Sequence, residues 1–340
     1  MNSSAKFDTD YDKHKVYRLA VTIFISVLFF IGVFSNFLIL VVVKRTPSMH
    51  SVTNILLCNL AVLDLSVLLW PLVGVVLESL ATKRNLSKHT ENVICKLGWS
   101  VLSLTYLCSI LTLTLIAIER YHALVKAITP GFSIRVKREN VKYFLFVLWL
   151  LGLNNAIGVA VLSEFKINHN GYSSKKTENH CINLTDGSLE RIKIWTLAYS
   201  AVFTSTPIPV VFYCYFKIIY SVFIKKTVLG ATSAGREEIW MRKRLVCTSI
   251  VAGLAFILFY SPLEIIGILF SLDVLPAIFY SEIAVSVMYF IICLKAILNP
   301  FLYAFHSTNY RIAVKTLFHS CCFKMRNAFL KFKVHDISQT

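Results

Sequence analysis

Residues 95–125 read CKLGWSVLSLTYLCSILTLTLIAIERYHALV, one long apolar stretch closed by Glu119-Arg120-Tyr121. A second such stretch, near the end of the chain, is closed by Asn299-Pro300-Phe301-Leu302-Tyr303. Strings this short recur by chance; what carries weight is their order and their place at the ends of membrane-length runs. Crossing a bilayer takes about 20 residues at 1.5 Å rise. Runs of that length lie near 17–43, 53–79, 95–125, 142–163, 193–224, 244–271 and 279–305. Backbone polar groups must be satisfied inside lipid, so full-length apolar helices are the economical solution. Hydrophobic residues make up 56% of the chain and charged ones 16%, outside the soluble globular range. The sequence thus predicts an all-α membrane protein, a seven-transmembrane helix bundle.

Charge orients the bundle. Lys44, Arg45, Arg120, Lys126, Arg135, Lys137, Arg138, Lys142, Lys217, Lys225, Lys226, Arg242, Lys243, Arg244 and the tail from Arg311 to Lys333 fall on one side, with few acids. Asp8, Asp10, Asp12, Glu78, Glu164, Asp186, Glu190 and Asp273 fall on the other. By the positive-inside rule the amino terminus is outside and the tail in the cytosol. The glycosylation sequons at Asn2, Asn85 and Asn183 all lie on that outer side. The expected division is an extracellular amino terminus over 1–16, a seven-transmembrane domain over 17–305 and a cytosolic tail over 306–340. No cleavable signal peptide is visible, and the first span serves as the insertion signal. The net charge of +17 gathers at helix ends, where it reads as topology and contact with anionic lipid rather than nucleic-acid binding.

Nine cysteines sort by compartment. Cys95 and Cys181 fall on the oxidising side, and a disulfide there would pin the loop 164–191 over the bundle mouth, worth about 3 kcal/mol. Cys58, Cys108, Cys214, Cys247 and Cys293 lie in spans, where small apolar packing is the default. Cys321-Cys322 follow an amphipathic segment from Tyr310 to Ser320 and are palmitoylation candidates, with free thiols the plainer alternative.

Together these residues resemble a rhodopsin-like (class A) G-protein-coupled receptor over all seven spans. The match runs through Asn36, then Leu60-Ala61-Val62-Leu63-Asp64, then Cys95 with Glu119-Arg120-Tyr121, and Trp149 in the fourth span. It continues through Pro207 and Tyr215, Phe256 and Pro262, and finally Asn299, Pro300 and Tyr303. The resemblance implies that Arg120 is the switch facing a heterotrimeric G protein. It pairs with Glu119 at rest and is released toward Tyr215 and Tyr303 when the sixth span swings outward. Arrestin and membrane lipid are further implied partners. Many members hold that arginine with an acid twenty residues before the sixth-span proline. Arg242 stands there instead, which excludes such a lock and implies a resting state held less tightly.

Lys295 departs from the family, whose members usually carry a neutral polar residue there. Related receptors hold a sodium ion between residues matching Asp64, Ser109 and polar groups of the seventh span, and here the following residue is Ala296. The expectation is that Lys295 pairs with Asp64 as a built-in cation, since an unpaired buried charge costs several kcal/mol; the alternative is an uncharged lysine lying elsewhere in a wet cavity. The opsin retinal lysine would fall at Cys293, so Lys295 is not its counterpart.

Amine receptors carry an aspartate where this chain has Leu102, which disfavours a small amine anchored in that way. Leu102, Ser103 and Tyr106 share one helical face. Tyr199, Phe203, Tyr260, Glu264 and Tyr289 are the opposing candidates for a ligand pocket, some of them simple packing. Tyr260 stands where most relatives carry a ligand-sensing tryptophan. Glu264, two residues past Pro262, must face a cation or stay protonated, and is expected to anchor a basic group of the ligand. The charged loop and amino terminus form a vestibule that suits an extracellular peptide. A small cationic metabolite or a lipid is the alternative ligand, and a non-signalling transporter the alternative protein. No internal repeat supports transport. No catalytic set, metal site or cofactor motif is present in the sequence, so no enzymatic activity is expected.

Overall fold

The computed structural model describes residues 3–84, 88–126, 136–164, 185–221, 236–274, 282–306 and 308–320. They are helical almost throughout, and no strand occurs among them. The first helix, Ser3–Arg45, begins far upstream of the expected span, because neither glycine nor proline interrupts residues 3–31. Its membrane-length apolar part is Ser26–Arg45. The second helix is Val52–Arg84, the third Lys88–Tyr121 and the fourth Val141–Leu162. The sixth is Arg236–Ser271 and the seventh Glu282–His306. A short amphipathic helix at 308–320 follows.

Among the described residues six helices are long and apolar enough to cross a membrane. The seventh contributes a shorter apolar stretch, Phe290–Phe301. Lys295 lies in its middle, a charge buried inside the bundle.

The fifth span has two parts. Asp186–Tyr199 and Pro207–Ile219 are joined through a wider turn at Ser200–Thr204, where the Ser205 amide donates to the Ser200 carbonyl five residues back at 2.8 Å. Pro207 has no N–H for the Phe203 carbonyl, and it sits where the inner half of the span restarts. The expanded turn rotates the outer half relative to the inner half, and so re-aims the hydroxyls of 200–205.

The sixth helix ends in a Schellman arrangement. The Val274 amide donates to Leu269 at 3.0 Å and the Asp273 amide to Phe270 at 3.2 Å, with Asp273 in the left-handed region at φ 57°. Glycine is the usual residue there. Asp273 carries instead a carboxylate that pairs with Lys193 of the fifth span, which Glu190 also meets at 3.2 Å. The strained backbone therefore holds a tie between two helix ends.

The third helix runs through the centre. Ile110 and Ala117 pack with Val211, Tyr215 and Ile218 of the fifth span and Phe259 and Tyr260 of the sixth. On the other side Cys108 packs with Leu63 and Leu148. Large apolar residues on the outer faces, such as Phe34, Phe146 and Val161, are exposed, as lipid contact requires. In 308–320, Tyr310 and Ala313 are buried against Ile39, Val42 and Met49, while Ile312 and Phe318 stay exposed.

Candidate functional site

Three polar clusters lie at successive depths, each assembled from several helices.

The inner cluster surrounds Arg120. Its Nε lies 3.2 Å from Glu119 Oε2, and its Nη2 donates to Thr53 Oγ1 on the second helix. Thr53 in turn donates to Glu119 Oε2 at 2.8 Å. The Glu119–Arg120 pair expected from the triplet is therefore present, with an added tether from Thr53. That tether joins residues 67 apart in the chain, so no local pattern could display it. Tyr215 is buried against Gly253 of the sixth helix, where any Cβ would overlap its ring. Tyr121 lies 6.0 Å, ring to ring, from Tyr213.

The central cluster surrounds Asp64, which is fully buried at 0% exposure. Lys295 Nζ lies 3.2 Å from its Oδ1, and Asn299 Nδ2 donates to its Oδ2 at 2.9 Å. Lys295 itself is 8% exposed, and its ammonium stands 4.9 Å from the centre of the Tyr260 ring, a cation–π contact. Ser109 is completely buried and adjoins the Tyr260 hydroxyl.

Asn36 completes this layer. Its Nδ2 donates to the Ala296 carbonyl and to the Gly32 carbonyl, both at 2.9 Å. Pro300 cannot donate to Ala296 as a regular helical residue would, so Asn36 supplies the missing donor across the helix boundary. A further junction links Asn59 to Thr112 and Trp149 Nε1 to Asn59 Oδ1, each at 2.9 Å. It explains why a tryptophan in the fourth span needs a polar partner on the second.

The outer cluster surrounds Glu264, 7% exposed. Tyr106 donates to its Oε2 at 2.9 Å. Its Oε1 receives Ser200, Thr204 at 2.5 Å and Ser205 at 3.4 Å. Among the described residues four hydroxyls, and no cation, surround the carboxylate. Three of them come from the expanded turn of the fifth span, and the sequence offered no sign of that turn except Pro207 close behind it. The Tyr106 ring meets Tyr260 at 5.5 Å, so the outer and central clusters touch.

The other expected pocket residues whose side chains are described make no hydrogen bond to Glu264. Tyr199 donates to Asn154 of the fourth helix and stacks between Trp195 at 4.8 Å and Phe203 at 5.0 Å. Trp195 Nε1 donates to Asn155 at 3.1 Å, and Asn155 reaches the Ser103 carbonyl at 3.5 Å. Ser103 bonds within its own helix to Ser100, and Leu102 is partly buried on the same helix. Tyr289 and Tyr303 belong to the seventh helix, with side chains outside the described set. Cys95 is disulfide-bonded, and its expected partner Cys181 lies outside the described residues. So do Asn2, Asn85, Asn183, Cys321 and Cys322. Cys58, Cys108, Cys214, Cys247 and Cys293 are free. No metal-binding group of His, Cys, Asp or Glu occurs among the described residues.

Comparison with known proteins agrees with this architecture. Residues 35–303 match the family described as 7 transmembrane receptor (rhodopsin family). The allatostatin-A receptor of Bombyx mori is 24% identical over 93% of this chain and 85% of its own length. The pyroglutamylated RF-amide peptide receptor of Mus musculus is 25% identical, covering 86% of this chain and 68% of that receptor. Squid rhodopsin shares the fold with a TM-score of 0.64 at 22% identity, covering 89% of this chain and 85% of its own. The family match spans most of the chain, including all three clusters, and makes it a multi-pass membrane protein. The chain belongs to the rhodopsin family of seven-transmembrane receptors.

Proposed function

We propose that this receptor sits in the plasma membrane with its amino terminus outside and couples an extracellular peptide to heterotrimeric G proteins. As a member of a receptor family it transmits a signal and is not an enzyme. The observation that carries the reading is the Arg120 arrangement. A guanidinium at the inner end of the third helix is held only by Glu119 and Thr53 among the described residues. Both restraints are side-chain contacts that a rearranged inner mouth can break, which is what a two-state element needs. The peptide reading is supported by relatives whose names specify allatostatin-A and RF-amide peptides. The charged extracellular loop 164–191 supports it too. Arrestin and inner-leaflet lipid belong to the same reading, as do glycosylation at Asn2, Asn85 and Asn183 and palmitoylation at Cys321 and Cys322.

The test is guanine-nucleotide exchange on purified G proteins, screened against a peptide library. Wild type should catalyse exchange with at least one peptide, and Arg120→Ala should lower it at least about tenfold, one arginine contact being worth about 1.4 kcal/mol or more. Equal exchange by both proteins would refute the role of Arg120.

Thr53→Val gives a graded version. It removes the tether and leaves Glu119 in place, so basal exchange should rise by about two- to tenfold, the range of one net hydrogen bond. Unchanged basal exchange would mean that Glu119 alone holds the arginine.

A further inference from the structure

We infer that the Glu264 carboxylate accepts a primary ammonium and discriminates against a guanidinium. This inference deepens the receptor reading, naming the basic group such a ligand presents: a lysine side chain or a free amino terminus rather than an arginine.

The argument begins with charge. Glu264 is buried between the third, fifth and sixth helices, and no cation faces it among the described residues. The buried bases nearby are committed elsewhere: Lys295 to Asp64, and Lys193 to Asp273 and Glu190. Hydroxyl dipoles solvate a carboxylate but leave its charge uncompensated, which favours entry of a cation from outside.

The four donors are unevenly divided. Ser200, Thr204 and Ser205 all point at Oε1, which has two lone pairs and is saturated. Among the described residues Oε2 receives Tyr106 alone, which leaves one lone-pair direction. A guanidinium binds carboxylates best through two parallel N–H bonds, one to each oxygen. Here it could make only one, leaving its other donors buried without acceptors. An ammonium delivers one N–H to Oε2 and leaves two donors rather than four to satisfy, with its charge against the Tyr106 ring, since the Tyr260 ring already carries Lys295. A three-hydroxyl block on one oxygen thus acts as a selectivity device.

Thermal unfolding of the purified receptor in lipid nanodiscs tests this without an identified ligand. The probes are propylammonium and propylguanidinium chlorides at equal ionic strength. For wild type, propylammonium at tens of millimolar should raise Tm by about 2 °C or more, and propylguanidinium should raise it less than half as much. Glu264→Gln should abolish the response to both. Tyr106→Phe frees a second direction on Oε2 and should bring the propylguanidinium shift up to the propylammonium one. The inference is overturned if wild type responds to neither probe, if it responds equally to both, or if Glu264→Gln keeps the ammonium response. None of these readouts involves a G protein, so failure of nucleotide exchange would sink the signalling reading and leave this result standing.

Discussion

Replacing Lys295 by methionine should cost about 3–5 kcal/mol of stability, because it strands a buried carboxylate. Asp64 is fully buried, and its two oxygens meet Lys295 at 3.2 Å and Asn299 at 2.9 Å. Methionine fills nearly the same volume, so the loss reports charge rather than packing. Asp64→Asn should be costly for the mirror reason, an ammonium left beside Tyr260 with no counter-charge. The double variant Asp64→Asn, Lys295→Met removes both charges and should recover most of the loss. Thermal unfolding of all four proteins closes the cycle, and simple additivity of the two single losses would show that the pair is not coupled. Sodium gives a second readout: with the built-in cation gone, raising NaCl should stabilise Lys295→Met more than wild type.

The second large effect is steric. Gly158→Val should destabilise the outer half of the fourth and fifth helices by about 1–3 kcal/mol, the usual range for overpacking. Any Cβ at position 158 would lie inside the Trp195 ring. That ring is fixed by its bond to Asn155 at 3.1 Å and its stack on Tyr199 at 4.8 Å, so it cannot step aside cheaply. Small residues where transmembrane helices touch allow such approach. Cell-surface expression and Tm should both fall, while Gly187→Val, where nothing lies within 4 Å, should change neither. If the two variants behave alike, the Gly158 contact is not what packs these helices.

Much of the site was legible because each rule involved acts over a short range. The Glu119–Arg120 pair joins neighbours in the chain, and the 308–320 helix follows from the spacing of its apolar residues. The Asp64–Lys295 contact was legible for a different reason. Two charges placed in apolar runs have few partners available, so burial cost favours the pairing that the structure then shows. Glu264 shows where that logic stops. Its need for a partner could be read, but the hydroxyls that meet it could not, because they come from a register change inside the fifth span. Tyr199 was expected opposite Tyr106 and instead donates to Asn154 of the fourth helix, with the Phe203 ring beside its own.

The amino-acid sequence by itself determined the membrane-spanning helices and their order, since lipid penalises every unsatisfied backbone polar group. Only the tertiary structure decided that Thr53 tethers Arg120, that Asn36 serves the carbonyl left open by Pro300, and that Glu264 is enclosed by hydroxyls. Each of those depends on the rotation of one helix about its axis relative to another. That rotation is set by packing across the bundle, which no single segment encodes.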